Sequence, residues 1–185
     1  MIEESRTLFM TRGEISRTIQ RMGREIRRDY EGKSPLLVGV LKGSFIFMSD
    51  LVREIGIPLT IDFVQAQSYV STESSGQVSI ASGPLSVLQD RHVLIVEDIV
   101  DTGTTISHLM TLFQKENPAS LKVCTFLDKP YRRDIQVKVD YLGIVAPNKF
   151  VVGYGMDLDE EYRYLPDLWV LDDAGSPPET PELTG

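Results

Sequence analysis

Between Thr11 and Tyr30 the apolar residues Ile15, Ile19, Met22 and Ile26 recur three or four positions apart, the spacing of one helical face. Thr11 followed three residues later by Glu14 is a capping box, so the pattern predicts a helix over residues 11–30. A second pattern follows. "LLVGVLKGSFIFMSDLVREI", residues 36–55, is a continuous apolar strand that turns through Lys-Gly-Ser into a helix. "RHVLIVEDIVDTGTTISHLMTLFQKENP", residues 91–118, repeats that unit, with Leu109, Leu112 and Phe113 as the inward face of its helix and Pro118 as its stop. Residues 57–69 alternate like a strand, and the polar "VSTESSGQ" separates them from a short strand near Val78 to Ala81, which predicts a hairpin. "ASLKVCTFLDKPYRR" and "VDYLGIVAP" supply further strands, and "KFVVGYGMDLDEEYRYLPDLWVLDD" is an aromatic, acidic finish. Strands alternating with helices predict an α/β fold with a mainly parallel sheet.

Length adds the domain count. At 185 residues the chain fits one domain, read over residues 1–173, followed by a Pro-rich tail, 174–185, with little to bury and a poorly ordered state expected. No apolar run approaches the roughly 20 residues that span a bilayer, and the start shows no secretory leader, so the expected address is cytoplasmic. The single Cys124 cannot form an internal disulfide and sits in an apolar run. A net charge of −8 argues against a sequence-independent grip on nucleic acid, which needs Lys and Arg to neutralise phosphates. The one arginine-rich feature is the polar side of the first helix, Arg17, Arg21, Arg24, Arg27 and Arg28, which reads as a solvated face or as a subunit or anion contact. His92 and His108 stand alone and read as structural, with no His/Cys metal cage in the sequence.

The chemistry concentrates in "VLIVEDIVDTGTT", residues 93–105. Carboxylates at the lip of a core cost desolvation unless something binds them, and ligands of parallel α/β sheets bind beyond the carboxyl ends of the strands. The Thr/Gly cluster then opens a helix, whose start offers unpaired backbone N–H groups and the positive end of the dipole. Thr102, Thr104 and Thr105 add hydroxyls and Gly103 permits close approach, a composition suited to a phosphate. Acids beside such a cradle make sense if they face sugar hydroxyls or a cation brought by the same ligand. Read without that ligand, Thr or Asp merely caps the helix and the acids are exposed loop residues.

This stretch resembles the phosphoribosyl pyrophosphate (PRPP) motif of the type I phosphoribosyltransferases. "LKGSFIFMSDL", the pair Ser68 and Tyr69, "LDKPYRR" and "KFVVGYGMDLDEEYR" stand in the order found in the hypoxanthine-guanine branch, so the resemblance covers residues 10–173. It implies a mainly parallel twisted sheet flanked by helices, with a small base-binding hood built from N- and C-terminal segments. Glu97 and Asp98 would bond the ribose hydroxyls of PRPP, and Asp101, Thr102, Gly103, Thr104 and Thr105 would hold its 5′-phosphate. Asp101 would also exchange a proton with N7 of the purine, which requires a partly desolvated carboxylate. Lys42, Gly43, Ser44 and Arg163 would receive pyrophosphate, with the peptide before Lys42 cis. Ser68 and Tyr69 would lie on a lid that excludes water. Lys129 would donate to O6 of the base, Phe150 and Ile99 would sandwich the ring, and Val151 would read its edge. Mg²⁺ is the implied cofactor, with Glu97, Asp98 and Asp157 as its carboxylates, held mainly through substrate oxygens and water. A homodimer or homotetramer is the implied assembly.

Taken by themselves these residues carry plainer readings: Ser44 as a helix cap, Lys129 in a surface ion pair, "FVVGYG" as an aromatic core strand, Asp157, Asp159, Glu160 and Glu161 as a solvated turn, and 68–77 as an ordinary hairpin loop. The activity implied is transfer of the phosphoribosyl group to a 6-oxopurine in purine salvage. The competing classes are a PRPP-binding nucleic-acid regulator, which needs a basic face, and a transferase for another base such as uracil, which Lys129 and Phe150 in their present contexts disfavour.

Overall fold

Four consecutive side chains, Val93 to Val96, are fully buried, because they form the middle of β5 (His92–Val100), which is covered on both faces. Neighbouring side chains of a strand point to opposite faces. Leu94 and Val96 accordingly enter one core, and Val93 and Ile95 enter another. Each burial contributes roughly 1.5–3 kcal/mol. That holds the register, since a slip by one residue would draw Glu97 into the apolar layer.

The structure, a computed structural model, describes residues 5–68, 78–82 and 86–171. Around β5 lie β1 (Arg6–Met10), α1 (Arg12–Tyr30), β2 (Leu36–Leu41), α2 (Phe45–Ile55), β3 (Thr60–Ser68), β4 (Val78–Ser82), α3 (Thr104–Gln114), β6 (Ser120–Asp128), β7 (Tyr141–Val145), β8 (Phe150–Val152) and β9 (Leu168–Leu171). The main sheet runs in the order β4-β3-β2-β5-β6-β7. Its five inner and far-edge strands from β3 to β7 pair in parallel, and β4 adds an antiparallel edge that completes the expected hairpin with β3. A second, three-stranded antiparallel sheet joins β1, β9 and β8, which is the hood of N- and C-terminal segments.

Helices α1 and α2, the hood residues Val151, Tyr154, Met156, Leu168 and Val170, and one sheet face share the first core. Helix α3 packs on the other face with Ile106, Leu109 and Phe113. Leu112 departs from expectation: it is 36% exposed, and Ile106 takes the inward position, because 106, 109 and 113 share a helical face and 112 flanks it. Helix α1 starts where the sequence indicates, with both halves of the Thr11–Glu14 capping box formed. Two of its arginines serve the fold. Arg21 donates to the carbonyls of Leu142 and Gly143, and Arg27 donates to those of Ile55 and Glu54 at the end of α2. The tail from residue 174 lies outside the described residues.

Candidate active site

The chain passes from β2 outward to β3, then returns across β2 to β5 and proceeds to β6 and β7, so the strand order reverses between β2 and β5. Such a reversal opens a crevice beyond the strand ends. Register shows where it opens: pairing of β2 with β5 ends at Gly39 and Val96, whereas β5 stays paired with β6 as far as Val100 and Asp128. The acids therefore sit inside an extended strand, not in the turn that the apolar run suggests. One side has lost its partner strand just where Glu97 begins. The resulting cleft, about 410 Å³, is lined by the end of β2 with Gly43, by Glu97 through Gly103, and by Thr105, Ile106 and Asp157.

Glu97 and Asp98 are 7% and 9% exposed. Burial first, and then the neighbouring Asp98 charge, hold the Glu97 carboxyl well above its ordinary range. Burial also raises Asp98, while a hydrogen bond from Glu97 and the charge of Arg163 pull against that rise. Gly43 packs directly on Asp98, where a Cβ would stand 1.9 Å from Oδ2. Gly155 closes in from the hood side, 2.6 Å from a Cβ position to the Gly43 carbonyl.

At the start of α3 the capping position is Gly103, with φ 86° and no side-chain cap. A Cβ there would meet the Ile135 carbonyl at 2.2 Å, so both conformation and space require glycine. Thr102 and Thr104 exchange a hydroxyl contact of 3.1 Å beside it. The loop is braced from below by residues that local sequence patterns did not single out. The Thr102 carbonyl accepts from the backbone of Asp134 and Ile135, at 3.0 Å each. Arg133 donates to the carbonyls of Val100 and Asp101 and pairs with Asp128, both side chains largely buried. Nothing local marks this brace, because its members lie about thirty positions from the loop they hold.

Asp101 has a side chain 35% exposed. Lys129 Nζ lies 3.8 Å from its Oδ2, and Arg132 Nε 3.0 Å from its Oδ1. The Arg132 contact lacks hydrogen-bond alignment, and Oδ1 is buried without a hydrogen-bond partner. Lys129 is not a surface residue. It is 3% exposed, donates to the Lys149 carbonyl at 2.9 Å, and burial lowers its proton affinity despite the nearby Asp101 charge. That bond ties it to the residue before Phe150, whose ring is 39% exposed at the start of β8, while Val151 is buried and Ile99 lines the cleft.

The Leu41–Lys42 peptide is cis, as the resemblance implies. Lys42 Nζ pairs with Glu160 at 2.7 Å. Arg163 pairs with Asp157 at 2.8 Å and with Glu160 at 3.3 Å, and its Nε is buried without a hydrogen-bond partner. Lys42 and Arg163 hold the exposed Glu160 carboxyl below its usual range. Ser44 occupies the capping position of α2 but does not cap it: fully buried, its hydroxyl donates back to the Val40 carbonyl at 2.6 Å. Ser68 ends β3 and Tyr69 lies outside the described residues, so the lid expectation falls there. Among the described residues, no three His, Cys, Asp or Glu side chains converge on a cation position; Glu97, Asp98 and Asp157 share the cleft without forming a ligand cage. His92 bonds Ser120 at 2.8 Å, far along the sheet at the opposite strand ends.

Known proteins are similar to this chain. The phosphoribosyl transferase domain matches residues 11–159. Hypoxanthine-guanine phosphoribosyltransferase of Streptococcus pneumoniae is 42% identical over 89% of this chain and 92% of its own. The bifunctional protein TilS/HprT of Listeria monocytogenes is 41% identical over 92% of this chain, which spans 26% of that longer protein. A crystal structure of hypoxanthine-guanine phosphoribosyltransferase from Bacillus anthracis superposes with a TM-score of 0.86 at 37% identity, covering 91% of this chain and 99% of that one. The chain belongs to the phosphoribosyltransferase family, in its hypoxanthine-guanine branch.

Proposed function

We propose that the chain transfers the phosphoribosyl group of PRPP to N9 of a 6-oxopurine, hypoxanthine or guanine, giving IMP or GMP and pyrophosphate. One observation carries this reading. Two buried carboxylates, a helix start without a side-chain cap and a buried lysine 3.8 Å from Asp101 all meet at a single strand reversal. The Streptococcus pneumoniae relative, named for this activity and alike over nearly its whole length, supports the choice of substrate.

Thr102 to Thr105 receive the 5′-phosphate at the positive end of α3. Glu97 and Asp98 grip the ribose hydroxyls. Lys42, Gly43 and Arg163 take the pyrophosphate, and Ser44 anchors their loop from beneath. Lys129 donates to O6 of the base, a bond that the amino group of adenine cannot accept. Phe150 and Ile99 flank the ring, and the backbone of Val151 reads its edge. As N9 attacks C1′, the bond from C1′ to the pyrophosphate oxygen breaks and its electron pair leaves with pyrophosphate. Asp101 takes the proton from N7. Charge develops on the sugar as an oxocarbenium-like species, so positioning and electrostatics supply the rate. Asp157, Glu97 and Asp98 would stand beside a Mg²⁺ brought in by PRPP, as neighbours rather than as a cage, and such an ion would supply positive charge to the leaving pyrophosphate. Ser68 and Tyr69 complete the reading as the lid. A cytoplasmic setting agrees with the free, buried Cys124. A homodimer or homotetramer agrees with the exposed Phe45 and Tyr164 rings, and light scattering reads its size.

Turnover with PRPP and Mg²⁺ against hypoxanthine, guanine, xanthine, adenine and uracil in parallel tests the reading. Hypoxanthine or guanine should be consumed and adenine and uracil left. Turnover of uracil or adenine instead, or of none, rejects it.

A further inference from the structure

Glu160 joins two cations that come from separate parts of the fold. Its Oε1 lies 2.7 Å from Lys42 Nζ, on the turn after β2, and its Oε2 lies 3.3 Å from Arg163 Nη2, on the segment between β8 and β9. These are the two cations assigned above to pyrophosphate. The carboxylate thus spans them as a pair of phosphate oxygens would. Local backbone presents it there: the Glu160 N–H donates to Asp157 Oδ2 at 2.9 Å, and the residue adopts φ 66°, a left-handed conformation uncommon for glutamate.

The side chain is 65% exposed and Lys42 is 56% exposed, so solvent screens the pairing and leaves it weak. A weak, exposed bridge is a poor brace. It is readily exchanged for a ligand carrying several negative charges. Arg163 does not depend on it for orientation, because Asp157 holds it at 2.8 Å and the Gly155 carbonyl accepts from it at 2.8 Å.

We infer that Glu160 competes with pyrophosphate for Lys42 and Arg163, and thereby sets how tightly PRPP and pyrophosphate are held and how readily pyrophosphate leaves. The inference rests on the pyrophosphate site proposed above. A brace and a competitor predict opposite signs. Removing a brace loosens ligand binding, whereas removing a competitor tightens it.

The experiment compares the wild-type chain with Glu160→Gln, Glu160→Asp and Glu161→Gln, the last removing a neighbouring acid that has no place in the site. Inorganic pyrophosphate with Mg²⁺ is titrated calorimetrically, and KM for PRPP and for hypoxanthine is measured alongside kcat. Glu160→Gln should lower the dissociation constant of pyrophosphate about two- to ten-fold, the range of two screened ion pairs. KM for PRPP should fall with it, KM for hypoxanthine should hold, and kcat should fall where pyrophosphate release limits turnover. Glu160→Asp, charged but one methylene shorter, should fall between, and Glu161→Gln should match the wild type. Unchanged or weaker pyrophosphate binding in Glu160→Gln, beside a wild type that binds and turns over, overturns this inference alone. A wild type that binds no pyrophosphate and consumes no base overturns the site assignment with it.

Discussion

Gly43 and Asp98 meet so closely that a methyl group on the glycine would stand 1.9 Å from the carboxylate oxygen Oδ2. The turn after β2 and the open side of β5 are therefore fitted to each other at a single missing side chain. Gly43→Ala must push either the Asp98 carboxylate or the Lys42 turn out of place. Displacements of about 1 Å in a positioned site cost on the order of 100-fold. The kcat/KM for PRPP should fall by about that factor; steady-state kinetics with PRPP varied checks it.

Asp101→Asn keeps size and hydrogen-bonding capacity but cannot take a proton. Turnover should drop about 10²- to 10⁴-fold while the dissociation constant of PRPP stays within a few-fold. Steady-state kinetics paired with PRPP titration checks the split, and undiminished turnover would remove Asp101 from the proton transfer.

Lys129→Met fills the buried position without an ammonium group. The apparent second-order rate for hypoxanthine should fall about 10- to 100-fold, the loss of one charged hydrogen bond, with PRPP binding retained. A uniform loss for both substrates would point to a packing role.

Glu97 gives the protein a pH signature. Its folded-state proton affinity is raised above the reference value of 4.5, so the folded chain holds a proton that the unfolded chain releases. The stability this contributes is complete below that reference value and is lost as pH rises toward the folded-state value. Relative to Glu97→Gln, the wild type without added PRPP should lose up to about 1.4 kcal/mol per pH unit across that window. Urea melts of both proteins from pH 4.5 to 8 check it, and parallel curves would show that Glu97 is not a buried acid.

Arg133 reaches three acceptors, the carbonyls of Val100 at the end of β5 and of Asp101 in the phosphate loop, and the Asp128 carboxylate. Arg133→Met leaves Asp128 buried and unpaired, which should cost about 3–5 kcal/mol of stability and weaken PRPP binding together. Arg133→Lys should recover little of either, because one ammonium group cannot serve the same fork. Chemical denaturation and PRPP titration check both effects.

What could be read before any coordinates divides along sequence distance. The capping box of α1 and the run from Val93 to Thr105 are contiguous, so their chemistry is visible as a pattern. Even there the apolar run ends before β5 does, because the pairing that extends the strand to Val100 comes from β6. Strand β1 has no alternating signature; its outer residues are exposed and it exists by pairing with β9, across the whole chain. Lys129 and Phe150 carried no local signal of a site and entered through motif order alone. Arg132, Arg133 and Glu160 acquire their roles only when folding brings them to Asp101, to the phosphate loop and to Lys42.

Among the described residues, helix α1, remote from the cleft, begins with a side-chain cap, whereas α2 and α3 begin without one. Such a cap is worth about 1 kcal/mol, a contribution forgone twice at the rim of the cleft. An arriving anion would return it, which makes the substrate a late participant in folding: amide hydrogens in the first turns of α2 and α3 should exchange with deuterium quickly in buffer and slowly once PRPP is bound.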